Sequence, residues 1–417
     1  MQIKTILNRV QKFKSFIYGN VHCIETASGP ALEVDIHPRS NGQALCSICG
    51  RRRPGYDKLP ARRFEFIPMW GYKVFFVYAP RRVECLDCGI RVEKMPWVTG
   101  KRQLTDSYAW YLASWAKKMS WQEVARAFRS TWDHVFNSVE MAVNWGREHQ
   151  DLSGIKSIGV DEIQWQSGQN YLTLVYQIDA AAKRLLWVGE KRTIKTFLRF
   201  FRWFGKERSA ELEVVCSDMW RPYLKVIAKK AVNALNILDR FHIMAHMNKA
   251  IDKVRAEEVK ALAANGYEPV LKKARWLLLK RPENLTEQQD IRLSDLVHYN
   301  LKSVRSYLLK EEFQLFWLYK TPHWAGSFLD KWCTKTMRSK IEPMKKVARM
   351  LRRHRPLIMN WFKVKGQFSS GIVEGLNTKA KLTTRKSYGF RTYRAAEISL
   401  YHVLGALPVP ITTHEFF

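Results

Sequence analysis

Residues 155–165, IKSIGVDEIQW, mark the point where the chain changes its period. From 104 to 148 apolar residues recur every three or four positions, as helices require, whereas here short β-rich runs begin. YLTLVYQID (171–179) and RLLWVGEKR (184–192) follow, separated by the turn sequences QSGQN and AAAK. A helical stretch, TIKTFLRFFRWFG (193–205), leads into a fourth run, ELEVVCSD (211–218). MWRPYLKVIAKKA (219–231) then precedes a fifth, VNALNIL (232–238), which ends at DRFH (239–242). Three strands, helix, strand, helix, strand describe a mixed α/β layer.

Acids stand where chemistry would need them. Asp161 lies on the first strand and Asp218 closes the fourth, while Glu374 sits between Gly371 and Gly375 in GIVEGLNTKAKLTTRKSYGFR (371–391). The first and fourth strands of such a sheet can lie side by side, which would put Asp161 and Asp218 at one edge, and a helix returning later would deliver Glu374. Three converging oxygen ligands suit Mg²⁺, and two such ions would activate water on one side of a phosphorus and stabilise the departing oxygen on the other. Each acid also has a purely structural explanation, because a strand-end Asp is commonly a turn or cap residue, and Asp179 reads as one. Asp161 and Glu162 face opposite sides of a strand, so alternation does not choose between them. Beyond Glu374 come Lys379, Lys381, Arg385, Lys386 and Arg391, cations suited to holding a polyanion near the acids.

The whole composition points the same way. The 417 residues, 46% hydrophobic and 13% aromatic, suffice for two to four domains with real cores. Lys and Arg number 70 against 38 Asp and Glu, a net charge of +32 that makes nucleic acid the first partner to consider. No run of about 18 apolar residues is present, and the opening MQIKTILNRVQKFK is polar, so neither a membrane span nor a signal peptide is expected.

Seven cysteines do not suit a secreted disulfide framework, but four form close pairs. CSIC (46–49) and CLDC (85–88), each followed by a glycine, flank two strand-like runs, RRFEFIPMW (62–70) and YKVFFVYAP (72–80). This is the layout of a zinc ribbon with Cys46, Cys49, Cys85 and Cys88 as thiolate ligands; four unligated core cysteines are the alternative. Ahead of it, VHCIETA and ALEVDI around Ser28-Gly29-Pro30 suggest a β-hairpin. Arg51, Arg52 and Arg53, with Lys58, Arg62 and Arg63 and a single Asp57 among them, favour a phosphate-facing surface.

Ser120 and Glu123 form a capping box ahead of Trp121, Val124, Ala125 and Phe128, and Trp132, Val135, Phe136, Val139 and Val143 repeat the helical spacing. Two short helices behind a third (about 106–118) fit a helix-turn-helix, although helical bundles share the pattern. As a helix-turn-helix it would present His134, Asn137 and Ser138 to base edges and Arg126 and Arg129 to phosphate. From 241 to about 362 the pattern is almost wholly helical, ending in a basic segment from Arg338 to Arg355 that reads at least partly as a solvated helix face.

GVDEIQW (159–165), CSDMWRPY (216–223), ILDRFH (237–242) and residues 371–391, in that order behind the paired CxxC motifs and the helices, resemble insertion-sequence transposases of the ISL3 family. The resemblance covers nearly the whole chain, and its last motif is the most specific. It implies a DDE enzyme with an RNase H-like core, a mixed five-stranded sheet interrupted by a large all-helical insertion and preceded by a zinc ribbon and a helix-turn-helix domain. The implied divisions are 1–100, 101–150, 151–242, 243–362 and 363–417. Residue by residue, it assigns the catalytic, metal-binding acids to Asp161, Asp218 and Glu374, and so selects Asp161 over Glu162. It makes Asp239 and His242 near-site residues that position DNA or a flipped base; a hydrogen bond fixing the next helix explains them equally well. It further implies two Mg²⁺ or Mn²⁺ ions, a structural Zn²⁺, double-stranded DNA as partner (inverted-repeat ends and target), end cleavage and 3′-hydroxyl strand transfer, and a homodimer in the bacterial cytoplasm, associated with the nucleoid. A catalytically silent DNA-binding regulator, or another nuclease of the same fold, are the rival readings.

Overall fold

A computed structural model describes residues 2–27, 29–267, 270–364 and 371–410; Ser28 of the expected hairpin turn lies outside them. The chain forms two compact units, one of residues 1–151 with 383–417 and the other of residues 152–382. Among the described residues no helix is long and apolar enough to cross a membrane.

In the first unit a helix α1 (Ile3–Val10) precedes β1 (Phe16–Thr26) and β2 (Gly29–Pro38), which pair antiparallel. Then come β3 (Gly55–Lys58), β4 (Arg62–Met69), β5 (Tyr72–Tyr78), β6 (Arg81–Cys85) and β7 (Gly89–Val92). The hairpin between the cysteine pairs is not part of the cysteine-bearing sheet. β5 lies parallel to β2, giving a four-stranded sheet β1-β2-β5-β4, while the cysteines flank a separate sheet β3-β6-β7. Side-chain size explains the separation. Phe64, Phe66, Val74, Phe76 and Tyr78 alternate onto one face and bury against Phe13, Phe16 and Trp97, more apolar surface than a four-cysteine knuckle can cover.

Three helices follow, α2 (Asp106–Ala116), α3 (Trp121–Ala127) and α4 (Trp132–His149). The Ser120–Glu123 capping box forms as its spacing predicts. α4 is longer than the short helix expected, because Ala142, Val143 and Gly146 extend its buried stripe. A Cβ on Gly146 would lie 2.7 Å from Leu407 Cβ. A C-terminal helix (Tyr393–Leu404) also packs on α4, where Arg394 Nε meets Glu140 at 2.9 Å.

The second unit is built on β8 (Ser157–Gln164), β9 (Tyr171–Ile178), β10 (Lys183–Glu190), β11 (Val214–Ser217) and β12 (Leu235–Leu238). Helices α5 (Ile194–Phe204) and α6 (Lys206–Ala210) join β10 to β11, and α7 (Arg221–Lys230) joins β11 to β12. The sheet order is β10-β9-β8-β11-β12, antiparallel among the first three and parallel among β8, β11 and β12. The first and fourth strands are therefore neighbours, with Cys216 opposite Gly159. A parallel pair cannot be joined by a tight turn, so helices supply the crossovers, and the Phe197, Phe200, Phe201 and Phe204 stripe of α5 is buried in return.

After β12 the described chain is helical: α8 (Arg240–Ala264), α9 (Arg275–Leu279), α10 (Glu287–Val297), α11 (Lys302–Gln314), α12 (Pro322–Arg338), α13 (Glu342–Arg353), α14 (Arg355–Met359) and α15 (Gly371–Lys386). α8 to α14 share a core around Phe313, Phe316, Trp332, Met344 and Leu351. α15 instead lies against β8, where a Cβ on Gly159 would come 2.5 Å from Val373 Cγ2. Gly159→Ala is therefore expected to destabilise the chain by about 1–3 kcal/mol through overpacking, read as a lowered melting temperature. Val373→Ala in the same chain should restore part of the loss; a single variant as stable as the parent would show that the helix does not rest on this strand.

Candidate active site

The three parallel strands end at one edge of the sheet, and an acid stands at or near each end: Asp161 and Glu162 on β8, Asp218 just after β11, Asp239 just after β12. Asp239 caps α8, its Oδ1 accepting from the Phe241 N–H at 2.8 Å. The first turn of α8 then carries His242, whose Nε2 is 3.6 Å from Asp161 Oδ2 and 3.9 Å from Asp239 Oδ2. Both explanations of these two residues thus have a geometric counterpart, the cap at Asp239 and the approach to Asp161 at His242.

Asp218 is held on two sides. Its Oδ1 accepts from the Trp220 N–H at 2.9 Å and its Oδ2 from the Arg192 guanidinium at 2.9 Å. Arg192 also reaches Glu162, Nε to Oε1 at 2.7 Å, and lies 4.4 Å from the centre of the Trp220 ring. Asp161 is held from α15: its Oδ2 accepts from the Asn377 amide, and Asn377 Oδ1 accepts from the buried Tyr176 hydroxyl at 2.7 Å. Glu374, one helical turn before Asn377, is exposed. Among the described residues the three acids do not bring carboxylate oxygens within 4.8 Å of one another as a group; four cysteines do achieve such closeness.

Four carboxylates crowd this edge against one guanidinium and one imidazole. Burial pushes Asp218 above the usual carboxylate range, Asp239 up to about 6, and Glu162, further repelled by Asp218, up to about 8. The hydrogen bond to Asp161 pushes His242 up to about 9. Among the described residues Glu162 Oε2 is buried without a hydrogen-bond partner. Hard oxygen donors in excess over their cations are the donor set that suits a divalent ion such as Mg²⁺, so the residues present fit that group.

The proposed DNA contacts are placed less uniformly. Ser138 is 2% exposed and its hydroxyl donates to the His134 carbonyl at 2.7 Å, so it does not reach a base edge; it falls on the inward stripe of α4 with Val135 and Val139. Asn137 is exposed, while His134 Nδ1 lies 3.2 Å from Ser130 Oγ. Arg53 is turned inward, toward Cys85 Sγ at 3.3 Å and Asp87 at 2.6 Å, and is not a free phosphate ligand; Arg51 also pairs with Asp87, at 3.1 Å. Arg52, Arg126 and Arg129 are exposed. On α15, Lys381 and Arg385 fall on the same exposed stripe as Glu374 by the 3.6-residue period, and Lys379 and Lys386 fall on the next. Lys386 donates to the Lys118 carbonyl, and Arg391 is exposed beyond the helix.

The Sγ atoms of Cys46, Cys49, Cys85 and Cys88 lie within 4.8 Å of one another, with Cys49 and Cys85 at 3.6 Å. Tetrahedral Zn²⁺ with bonds of about 2.3 Å would set sulfur–sulfur edges of roughly 3.8 Å, so the donor set fits. Gly50 and Gly89, at φ of 68° and 74°, supply the left-handed turn after each pair. Burial opposes ionisation of Cys85, but hydrogen bonds from Arg53 and from the Asp87 and Cys88 N–H groups outweigh it and hold the thiol at about 6.

Sequence reading passed over Arg192, Tyr176 and Asn377. Asn377 alone carried a signal, an amide three residues after an acid on a helix, and thus one turn along the same side.

A transposase family of the ISL3 DDE type matches residues 158–399, from β8 into the C-terminal helix, a stretch that holds Asp161, Glu162, Asp218, Asp239 and Glu374. The chain belongs to this family. It is 28% identical over 378 residues, 90% of its own length and 92% of the relative's, to the transposase for insertion sequence element IS1001 of Bordetella parapertussis. It is 27% identical over 405 residues, 89% of its length and 88% of the relative's, to the transposase for insertion sequence element IS1557 of Mycobacterium tuberculosis.

Proposed function

We propose that this family member has an RNase H-like core with a helical insertion, binds the inverted-repeat ends of an insertion sequence, cleaves them by metal-dependent hydrolysis and joins the 3′-hydroxyl ends to target DNA. The observation that carries this reading is the tie between α15 and β8: Asn377 bonds Asp161 and sits one turn from Glu374, while β11 delivers Asp218 beside β8. Asp161, Asp218 and Glu374 would hold Mg²⁺, which when bound supplies a lowered water pKa and charge stabilisation at phosphorus.

The chain's own groups prepare the site. The Tyr176–Asn377 relay orients Asp161, and Arg192 holds Asp218 and Glu162 against Trp220. His242 places a positive charge beside Asp161, where a phosphate would enter. The exposed stripe of α15 puts Lys381 about two turns past Glu374 on the same side of the helix, ready for a strand's phosphates. In this reading the cysteine centre holds Zn²⁺, the helices of residues 106–149 recognise the ends, and a homodimer brings two ends together.

The full chain should be incubated with Mg²⁺ and a labelled duplex bearing the inverted repeat that flanks its gene. Cleavage followed by joining to a second duplex is expected. A well-folded preparation that does not cut would sink the enzyme reading, and cutting without joining would favour a nuclease. Asn377→Ala should lower cleavage about 10–100-fold, the usual effect of losing a group that orients a metal ligand, with end binding retained. Unchanged cleavage would mean that Asp161 does not need this relay.

A further inference from the structure

A second polar feature leads away from the carboxylates along α8. His242, His246, Lys249 and Lys253 are spaced four, three and four residues apart, so they form one stripe beginning beside Asp161. The last three of these are exposed and line a groove of about 450 Å³ whose opposite wall is α13, with Lys346 facing them. Its floor is apolar, made by Ala250, Val347 and Met350.

The acids in this groove are already engaged. Glu257 is 3.8 Å from Lys253, and Glu342 is paired with both Lys345, at 3.4 Å, and Arg349. Among the described residues Lys249 and Lys346 have no ion-pair partner, which leaves uncompensated positive charge on both walls. Eleven residues of helix span about 16 Å, the axial length of roughly five phosphates of one strand.

We propose that the α8–α13 groove binds the sugar-phosphate backbone of a DNA strand and leads it toward the carboxylate edge. Lys249 and Lys253 on one wall and Lys346 on the other, over an apolar floor, suit the phosphates and sugar faces of a strand, with the groove's acids Glu257 and Glu342 already paired to cations. The binding is independent of turnover; the DNA reading proposed above is needed only to say that the strand is cut at the near end. None of these lysines belongs to the N-terminal modules, so the groove adds a sequence-independent grip.

The test is lysine acetylation of the full wild-type chain in buffer without Mg²⁺, Mn²⁺ or chelator, so that the cysteine centre keeps its zinc, with and without a ~20-nucleotide DNA strand long enough to fill the track. Lys249, Lys253 and Lys346 should be protected several-fold, while Lys225, Lys229 and Lys230, exposed on α7, should not. Equal modification of the two sets would overturn the proposal. As a second arm, the combined Lys249→Gln, Lys253→Gln and Lys346→Gln variant should bind the same strand with a log–log salt slope shallower by about two, at ~0.7 per phosphate released. A slope unchanged, or changed equally by the corresponding α7 triple variant, would also overturn it. Because both arms omit Mg²⁺ and Mn²⁺, protection without any later cleavage would remove the enzyme reading and leave the groove standing.

Discussion

Asp218→Asn is expected to abolish end cleavage, by more than the ~100-fold that loss of an outer partner costs, while leaving DNA binding close to that of the parent. The substitution keeps the shape of the side chain. Asn Oδ1 can still accept from the Trp220 N–H, and Arg192 keeps Glu162 and the Trp220 ring when it loses its bond to Asp218. Folding should not suffer, and the sign can be worked out. Burial raises the folded-state pKa of Asp218 above its unfolded value, so stability is lost as the pH rises from the unfolded value through the raised one, and the full cost is present above it. Asn removes the charge and with it the cost, so in metal-free buffer at neutral pH the melting temperature should hold or rise. Cleavage, anisotropy of a labelled end and thermal melting, measured together, separate the outcomes. Persistent cleavage would show that Asp218 is not an essential ligand, and a large fall in melting temperature would show that it is a structural residue.

Cys85→Ser should have the second large effect, a fall in bound zinc from about one equivalent per chain to none, with the small sheet β3-β6-β7 opened. The buried core of that sheet consists of Ala44, Cys46, Val83 and Cys85, far too little apolar surface to hold three strands. Structural Zn²⁺ supplies an apparent ~10–16 kcal/mol in comparable four-ligand sites, so the metal would be the main source of stability here. Zinc analysis of the purified chain and limited proteolysis between residues 44 and 93 give the two readouts. Cys333→Ser, at a buried cysteine inside the helical core, is the control and should leave zinc unchanged. A parent chain purified without zinc, or a Cys85 variant that retains it, would remove the metal assignment. A loss of zinc with cleavage of a pre-bound end unchanged would confine the cysteine centre to an architectural role.

The five core strands were legible because their apolar runs are short and bounded by turn sequences, and the first and fourth could be put side by side, but the full sheet order came from the fold. The hairpin at residues 62–78 was legible as a hairpin but not as a partner of β2, since local periodicity does not reveal which strand a third one will pair with. Ser138 faces the core and not a base edge, and its spacing from Val135 and Val139 already put it near the buried stripe of α4. Arg53 could not be told from Arg51 and Arg52 in a run of three; the fold turns it toward Cys85.

Taken alone, the sequence determined the residue types and their order: paired thiols, strand-end acids, a late glutamate followed by cations, and an excess of positive charge. Those follow from composition and period, which are local properties. Tertiary structure decided which of them meet. Gly159 lets α15 approach β8, Asn377 locks that approach onto Asp161, and Arg192 crosses from the end of β10 to bind Glu162 and Asp218. Each of these contacts joins residues far apart in the chain, and their energies depend on burial and distance, which no periodicity encodes.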